Sequence, residues 1–289
     1  MTNSYLQIFE SIFFEKFGHD VEIEEFTVVA SGVVNTGVKI ISSEGIFFTK
    51  LNELEIEDCF HSEATELNMM KAFVGVPEIT GTGRKFGYNY LISEFIAEGS
   101  PTKATFEMAG KQLAHLHLES SSQFGFEHNN YIASICQDNL WKLDGINFLI
   151  QNRILPMVGK CLMEEKISID LYKRIENLCS RLGKIIPEEA PALLHGDLWS
   201  GNLMTNNLGK PIFIDPACYY GLRESELALT YLFGGFEPAF YESYLDVFPL
   251  EPGFGERVSV YHIHPLLIHV YLFGNGYIDG IERILKRFS

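Results

Sequence analysis

The sequence predicts an α+β protein of two lobes. A small antiparallel β-sheet with helices fills residues 1–97, and a larger, mainly helical lobe fills 98–289. Three observations predict it. Short apolar segments separated by tight turns occupy residues 26–51. The stretch Ala97-Glu98-Gly99-Ser100-Pro101 reads as a linker. From residue 104 onward the apolar residues recur at helical spacing. With 289 residues, 46% of them hydrophobic and 21% charged, the chain has ample material for a core and no disorder signature. Its 22 basic and 38 acidic residues give a net charge of −16. That balance argues against nucleic acid or an anionic membrane as partner, since both require a basic face.

In order along the chain, Tyr5, Ile8, Phe9, Ile12 and Phe13 predict an amphipathic helix over 4–17, with Asn3 or Ser4 as cap. Residues 26–30, 36–41 and 46–51 predict three strands joined by turns at Ser31-Gly32 and Ser43-Glu44-Gly45. Residues 58–73 predict a helix. Residues 76–83 read as strand and then turn, and 88–96 as a strand. Beyond the linker, Phe106 to His117 mark a helix. Trp141 and Phe148 mark a second, with Asn139 near its start, and Ile169 to Leu182 a third that ends near Gly183 and Pro187. Helices follow Ala228 to the end.

The chemistry concentrates in Leu193-Leu194-His195-Gly196-Asp197-Leu198-Trp199-Ser200-Gly201-Asn202 and Pro211-Ile212-Phe213-Ile214-Asp215-Pro216. The pattern His-x-Asp-x-x-x-x-Asn is the spacing of a kinase catalytic loop. Phosphoryl transfer needs an acceptor hydroxyl aligned and relieved of its proton, and the Asp197 carboxylate suits both tasks. An amide oxygen and a carboxylate, Asn202 and Asp215, are the hard ligands Mg²⁺ prefers. Two polar turns flanking a hairpin would use the same residue types.

Lys50 closes the third strand, in the manner of a lysine that reaches the phosphates of ATP. Such a lysine is held by a helix carboxylate. Glu63 is the expected partner, and Glu66, one turn on, the alternative. The loop at Gly32 to Asn35 either covers nucleotide phosphates with backbone N–H groups or is an ordinary hairpin loop. An adenine ring would bond to the backbone around Glu94, Phe95 and Ile96.

Five scattered cysteines without a CxxC pair favour buried, reduced thiols over disulfides or zinc. His115 and His117 cannot share a helical face, and His262, His264 and His269 do not align on one. All read as core or substrate-contact residues rather than metal ligands. Glu10 and Glu15 argue against a signal peptide, and the chain reads as soluble and cytoplasmic.

Taken together, Lys50, Glu63, the His195-Gly196-Asp197…Asn202 set and Asp215 resemble the protein-kinase-like fold. The His-Gly-Asp and Ile-Asp-Pro forms resemble its small-molecule branch, which includes aminoglycoside and choline kinases. The segments Asp197 to Asn202, Tyr219-Tyr220-Gly221 with Arg223-Glu224, Leu232 to Phe236, and Leu267 to Tyr277 are similar to those of fructosamine kinases. The resemblance covers nearly the whole chain. It implies ATP- and Mg²⁺-dependent phosphorylation of the sugar 3-hydroxyl of a ketosamine, free or protein-bound, after which the adduct eliminates and frees the amine. It further implies Asp197 as base, Asn202 and Asp215 as Mg²⁺ ligands, Lys50 on the phosphates, Glu63 positioning Lys50, and Trp199 and His269 on the sugar. Departures from the family pattern are the glycine-poor loop Ser31-Gly32-Val33-Val34-Asn35, Leu222 in place of a His, and Glu226 in place of an Asp. The last two are expected to alter the support of the Asp215 region. Other readings of the same residues are a kinase for another small hydroxyl compound and a catalytically silent nucleotide-binding protein.

Overall fold

The structure is a computed structural model that describes residues 2–31, 34–53 and 59–288. Gly32, Val33 and Asp58 therefore lie outside the described residues. Helix α1 (Thr2–Phe17) leads into a five-stranded antiparallel sheet of β1 (Ile23–Ser31), β2 (Thr36–Ser42), β3 (Gly45–Asn52), β4 (Ile79–Lys85) and β5 (Tyr88–Glu94), with helix α2 (Cys59–Met70) between β3 and β4. The strand order is β1-β2-β3-β5-β4.

Alternation decides which side chain faces which layer, because successive strand residues point to opposite faces. Leu51 on β3 and Ile92 on β5 join Ile8, Phe9, Ile12 and Phe13 of α1 in one apolar cluster. Leu91, one residue from Ile92, packs instead with Phe60 and Ala64 of α2. Lys50, one residue from Leu51, likewise faces the α2 side and meets Glu63.

Beyond residue 97 the chain is mainly helical. It runs through α3 (Lys103–Leu118), a hairpin of β6 (Asn130–Ile132) and β7 (Ile135–Gln137), and α4 (Gly145–Phe148), α5 (Leu155–Met163) and α6 (Ile169–Cys179). Next come β8 (Ala192–Leu194), β9 (Leu203–Thr205), β10 (Pro211–Phe213) and β11 (Tyr219–Gly221). The chain closes with α7 (Arg223–Leu232), α8 (Pro238–Val247), α9 (Phe254–Tyr261), α10 (Ile263–Phe273) and α11 (Ile278–Arg287). One core joins Leu113, Val158, Ile175, Leu193, Phe213 and Leu267, and Met70 and Val74 at the end of α2 belong to it. The two-stranded ladders β8–β11 and β9–β10, three residue pairs each, bring the His195 and Asp215 segments side by side.

Several expectations shift. Residues 76–78 are not strand; β4 starts at Ile79 and runs through Gly81 and Gly83, and the turn falls at Phe86-Gly87. Both glycines serve close approach, since a Cβ on Gly83 would stand 2.6 Å from the Tyr90 hydroxyl and one on Gly81 3.1 Å from Lys16. Trp141 lies outside any helix, because Phe124 and Lys142 exchange backbone hydrogen bonds of 2.8 Å there. Asp144, not Asn139, caps α4. A π-helical turn, Leu149–Ile154, joins α4 to α5. Pro156 lacks the N–H that an unbroken α-helix would use at that point. The predicted helix over 169–182 stops at Cys179, and a short 3₁₀ turn follows. Among the described free thiols, Cys161, Cys179 and Cys218 are buried, but Cys136 is exposed. No described helix is long and apolar enough to cross a membrane.

Where α3 crosses α8, Gly110 is fully packed, and a Cβ there would stand 2.1 Å from the Phe240 carbonyl oxygen. Gly110→Ala must push two helices apart. Urea unfolding should show a loss of roughly 1–3 kcal/mol or more; unchanged stability would contradict this packing.

Candidate active site

Two carboxylates meet one ammonium at the centre. Lys50 Nζ donates to Glu63 Oε1 at 2.6 Å and also to Asp215 Oδ1. Burial works to lower the Lys50 pKa, but Asp215 and Glu63 outweigh it and hold the ammonium charged. Glu63 rises to about 7, because burial and the nearby Asp215 and Glu66 outweigh the pull of Lys50. Glu66 does not reach Lys50. It is fully buried and accepts the backbone N–H of Cys218 at 2.9 Å.

Asp197 stands beside Asn202, whose Nδ2 donates to the Asp197 carbonyl at 2.7 Å and to its carboxylate at 3.3 Å. Burial, then repulsion from Asp215, lifts the Asp197 carboxyl to about 8. The site thus carries three carboxylates against one ammonium, an imbalance that a divalent cation corrects. The donor set fits one. Asn202 uses its nitrogen inward, leaving Oδ1 for a metal, and Asp215 is 43% exposed, with Oδ2 outside the Lys50 bond. The described residues hold no group of three or more His, Cys, Asp or Glu arranged for a metal. Two oxygen ligands supplemented by phosphate and water are the Mg²⁺ habit.

Glycine at 196 is a packing necessity, for its φ is +87° and a Cβ would stand 1.9 Å from the Ala217 carbonyl oxygen. His195 is fully buried; its Nε2–H donates to the Ile214 carbonyl at 2.9 Å and its Nδ1 faces the Asp197 N–H at 3.3 Å. Burial lowers its pKa, in keeping with a neutral ring. Asp215 itself adopts a left-handed backbone, φ +55°.

Glu226 does not touch the Asp215 segment, contrary to expectation. It accepts the backbone N–H groups of His195 at 2.8 Å and Gly196 at 2.6 Å, and the ring of His117 at 2.8 Å. Burial works against its charge, but these donors outweigh it and lower its pKa. His117 is in turn bonded to the Tyr244 hydroxyl at 2.8 Å. Leu222 is a core residue and supports no site group directly. Arg223 and Glu224 are likewise structural: Arg223 stacks on Phe248 and pairs with Glu189, and Glu224 pairs with Arg257 and Tyr261.

Near the Asp197 loop, Trp199 is 39% exposed and lies over Gly201, where a Cβ would stand 2.3 Å from the indole. Phe233 sits edge-on to Trp199 and packs against His269 at 4.6 Å between centroids. His269 donates its Nδ1–H to the Pro265 carbonyl at 2.8 Å, leaving Nε2 as an acceptor. A cavity of about 60 Å³ runs under Asp197, walled by Leu194, Tyr219, Glu226, His264, Ile268 and His269.

On the nucleotide side, Gly32 lies outside the described residues. The Asn35 side chain turns inward, accepting from Asn52 at 2.9 Å, and Asn52 accepts from Asn89 at 2.8 Å. Glu94 is exposed with its N–H bonded to the Glu78 carbonyl, so of the three hinge residues Phe95 and Ile96 lie beyond the paired strand. Lys39 lies over the Phe95 ring, 4.8 Å from its centroid. Sequence spacing named Glu66 as an alternative partner of Lys50, Glu226 as a departure and His117 as a core or substrate-contact residue, but missed the partners they have, and it missed Phe233 and the Asn52–Asn89 pair altogether. In each case the signal is a buried polar or aromatic group whose partner is remote in sequence.

The fructosamine kinase family model matches residues 6–289. The chain belongs to the fructosamine kinase family. A probable ketoamine kinase of Enterococcus faecium is 32% identical, over 90% of this chain and 94% of its own. A rice chloroplastic protein-ribulosamine 3-kinase is 33% identical, over 93% of this chain and 82% of its own. A crystallised fructosamine-3-kinase homologue from Haemophilus somnus superposes with a TM-score of 0.87 at 27% identity, covering 97% of this chain and 96% of its own. The protein is thus a kinase with the two-lobed, α+β kinase-like fold that the sequence predicts.

The cavity under Asp197 generates a pH prediction. Burial, with Arg153 nearby, depresses the His264 pKa from 6.5 to about 3. Between those values the unfolded chain binds a proton that the folded chain does not, so stability falls as pH drops below 6.5. His264→Gln should lose on the order of 1–3 kcal/mol less than the parent between pH 6.5 and 4. Chemical denaturation at each pH checks this, and parallel pH curves would contradict it.

Proposed function

We propose that the protein transfers the γ-phosphoryl group of ATP to the sugar 3-hydroxyl of a ketosamine: a fructosamine, ribulosamine or erythrulosamine adduct, free or on a protein. The 3-phosphate then promotes elimination of the adduct and release of the amine. The observation that carries this reading is the convergence of Asp197, Asn202, Asp215, Lys50 and Glu63 at one site, in a chain matched to fructosamine kinases over 6–289.

Asp197 takes the role of base. Burial and Asp215 raise its carboxyl to about 8, which makes its ionised form a stronger proton acceptor than an exposed aspartate. Asn202 Oδ1 and the Asp215 carboxylate are the groups that would hold Mg²⁺. When bound, the ion supplies charge neutralisation for the phosphates. Lys50 leaves Asp215 and engages phosphate oxygens while Glu63 keeps it aimed. Phe95 and Ile96 flank the adenine. Trp199 offers a ring face to the sugar, and His269 Nε2 accepts a hydroxyl hydrogen bond. Four described free thiols fit a reducing, cytoplasmic setting.

ADP release with Mg-ATP and a panel of ketosamines, an aminoglycoside and choline tests this reading. Turnover should appear with ketosamines and exceed that with the other acceptors. Asp197→Asn should lose turnover by about 10³-fold or more while ATP still raises the melting temperature. Preference for the aminoglycoside or choline would overturn the acceptor assignment. Equal turnover in variant and parent would overturn the base assignment.

A further inference from the structure

Helix α2 carries two buried-side carboxylates three residues apart, and they serve different partners. Glu63 holds Lys50 at 2.6 Å. Glu66 reaches past it to the strand that leaves Asp215. Its Oε2 accepts the Cys218 N–H at 2.9 Å, and its Oε1 accepts Asn130 Nδ2 at 2.9 Å. The same Asn130 nitrogen donates to the Cys218 carbonyl at 2.8 Å, and Gln137 fixes the Asn130 oxygen at 3.1 Å. Glu66, Asn130, Gln137 and Cys218 are all buried, so no water competes for these bonds. His128 closes the other side, 3.4 Å from Oε1.

We propose that Glu66 is a positioning residue for phosphoryl transfer: with Asn130 it locks the segment after Asp215 onto the helix that carries Glu63. The inference rests on the phosphoryl-transfer reading of the site, though not on the identity of the acceptor. Asp215 is held in a left-handed conformation that a non-glycine residue keeps only where its surroundings over-determine it. The chain before Asp215 is fixed by the Ile214 N–H on the Asn202 carbonyl at 3.1 Å and by His195 on the Ile214 carbonyl at 2.9 Å. The chain after it is fixed by the Ala217 N–H on the His195 carbonyl at 2.8 Å and then by Glu66 and Asn130 on both backbone groups of Cys218. The Glu66 and Asn130 bonds reach outside the catalytic segments, as do Lys50 on the Asp215 carboxylate and the Phe213 N–H on the Gly75 carbonyl at 2.7 Å, but on the far side of Asp215 it is Glu66 that joins the chain to α2. They make α2 and Asp215 one body, so the helix cannot withdraw Glu63 without also disturbing Asp215. A carboxylate is the group this junction needs, because it accepts on both oxygens, whereas an amide would present N–H to a donor.

Glu66→Gln tests the lock, read by hydrogen exchange of residues 216–221 and by steady-state kinetics. Exchange in that segment should accelerate about tenfold, and kcat should fall about 10–100-fold, with the KM for the ketosamine within about twofold. Asn130→Ala should move both readouts the same way, and the double variant should be no worse than the more affected single variant. If Glu66→Gln fails to fold, Asn130→Ala alone carries the same readouts. Unchanged exchange at 216–221, or acceleration spread evenly over the helical core, would overturn the proposal. Exchange is measured without any acceptor, so a wrong acceptor assignment leaves this test intact.

Discussion

One ammonium group ties three separate segments together. Lys50 comes from a strand, Glu63 from the helix beside it, and Asp215 from a loop 165 residues downstream. Strand alternation puts Lys50 on the α2 side while Leu51 anchors the same strand to α1. The apolar packing of the sheet therefore aims the ammonium, and the ammonium in turn collects two carboxylates that would otherwise repel. The site remains short of positive charge, and burial together with repulsion from Asp215 raises Glu63 to about 7 and Asp197 to about 8. An enzyme whose substrate is a metal–nucleotide complex is suited by a site that becomes electrically balanced only when the complex arrives.

The catalytic loop is held by a different device. Glu226, on a helix packed in the core, takes the backbone N–H groups of His195 and Gly196 and is itself held by His117 and Tyr244. This hydrogen-bonded chain places Asp197 without contacting it. Glu66 and Glu226 thus act on opposite ends of the same assembly, one on the Asp215 side and one on the Asp197 side. Both are fully buried and accept from backbone and side-chain donors; at Glu226 the donors outweigh burial and lower its pKa, whereas at Glu66 burial outweighs them and raises it.

Much of this was legible in the sequence, for identifiable reasons. Asp197, Asn202 and Asp215 stand at short spacings next to apolar strands, and Lys50 stands in the third of three successive strands, so residue type and place along the chain suffice to single them out. Glu63 and Glu66, one turn apart on the same helical face, were not separable by helical phase, and the structure gives the two residues distinct partners. The illegible part is long-range and polar. Glu66 meets Cys218 across 152 residues, and His117 meets Glu226 across 109. No local pattern encodes such contacts. Glycines misled in the other direction: Gly81 and Gly83 look like a turn but sit inside β4, where they admit Lys16 and Tyr90. Likewise Trp141 carries a helical apolar pattern, yet a backbone bridge between Phe124 and Lys142 holds its neighbourhood extended.

The central claim is that Lys50 and Glu63 act as one unit in placing the phosphates. A double-mutant cycle on kcat/KM for ATP tests it most directly, with Lys50→Met, Glu63→Gln and the pair measured against the parent. If the two residues act through a single contact, the double variant is no slower than Lys50→Met alone. Losses that multiply, with the double variant slower by the product of the two single effects, would contradict the claim.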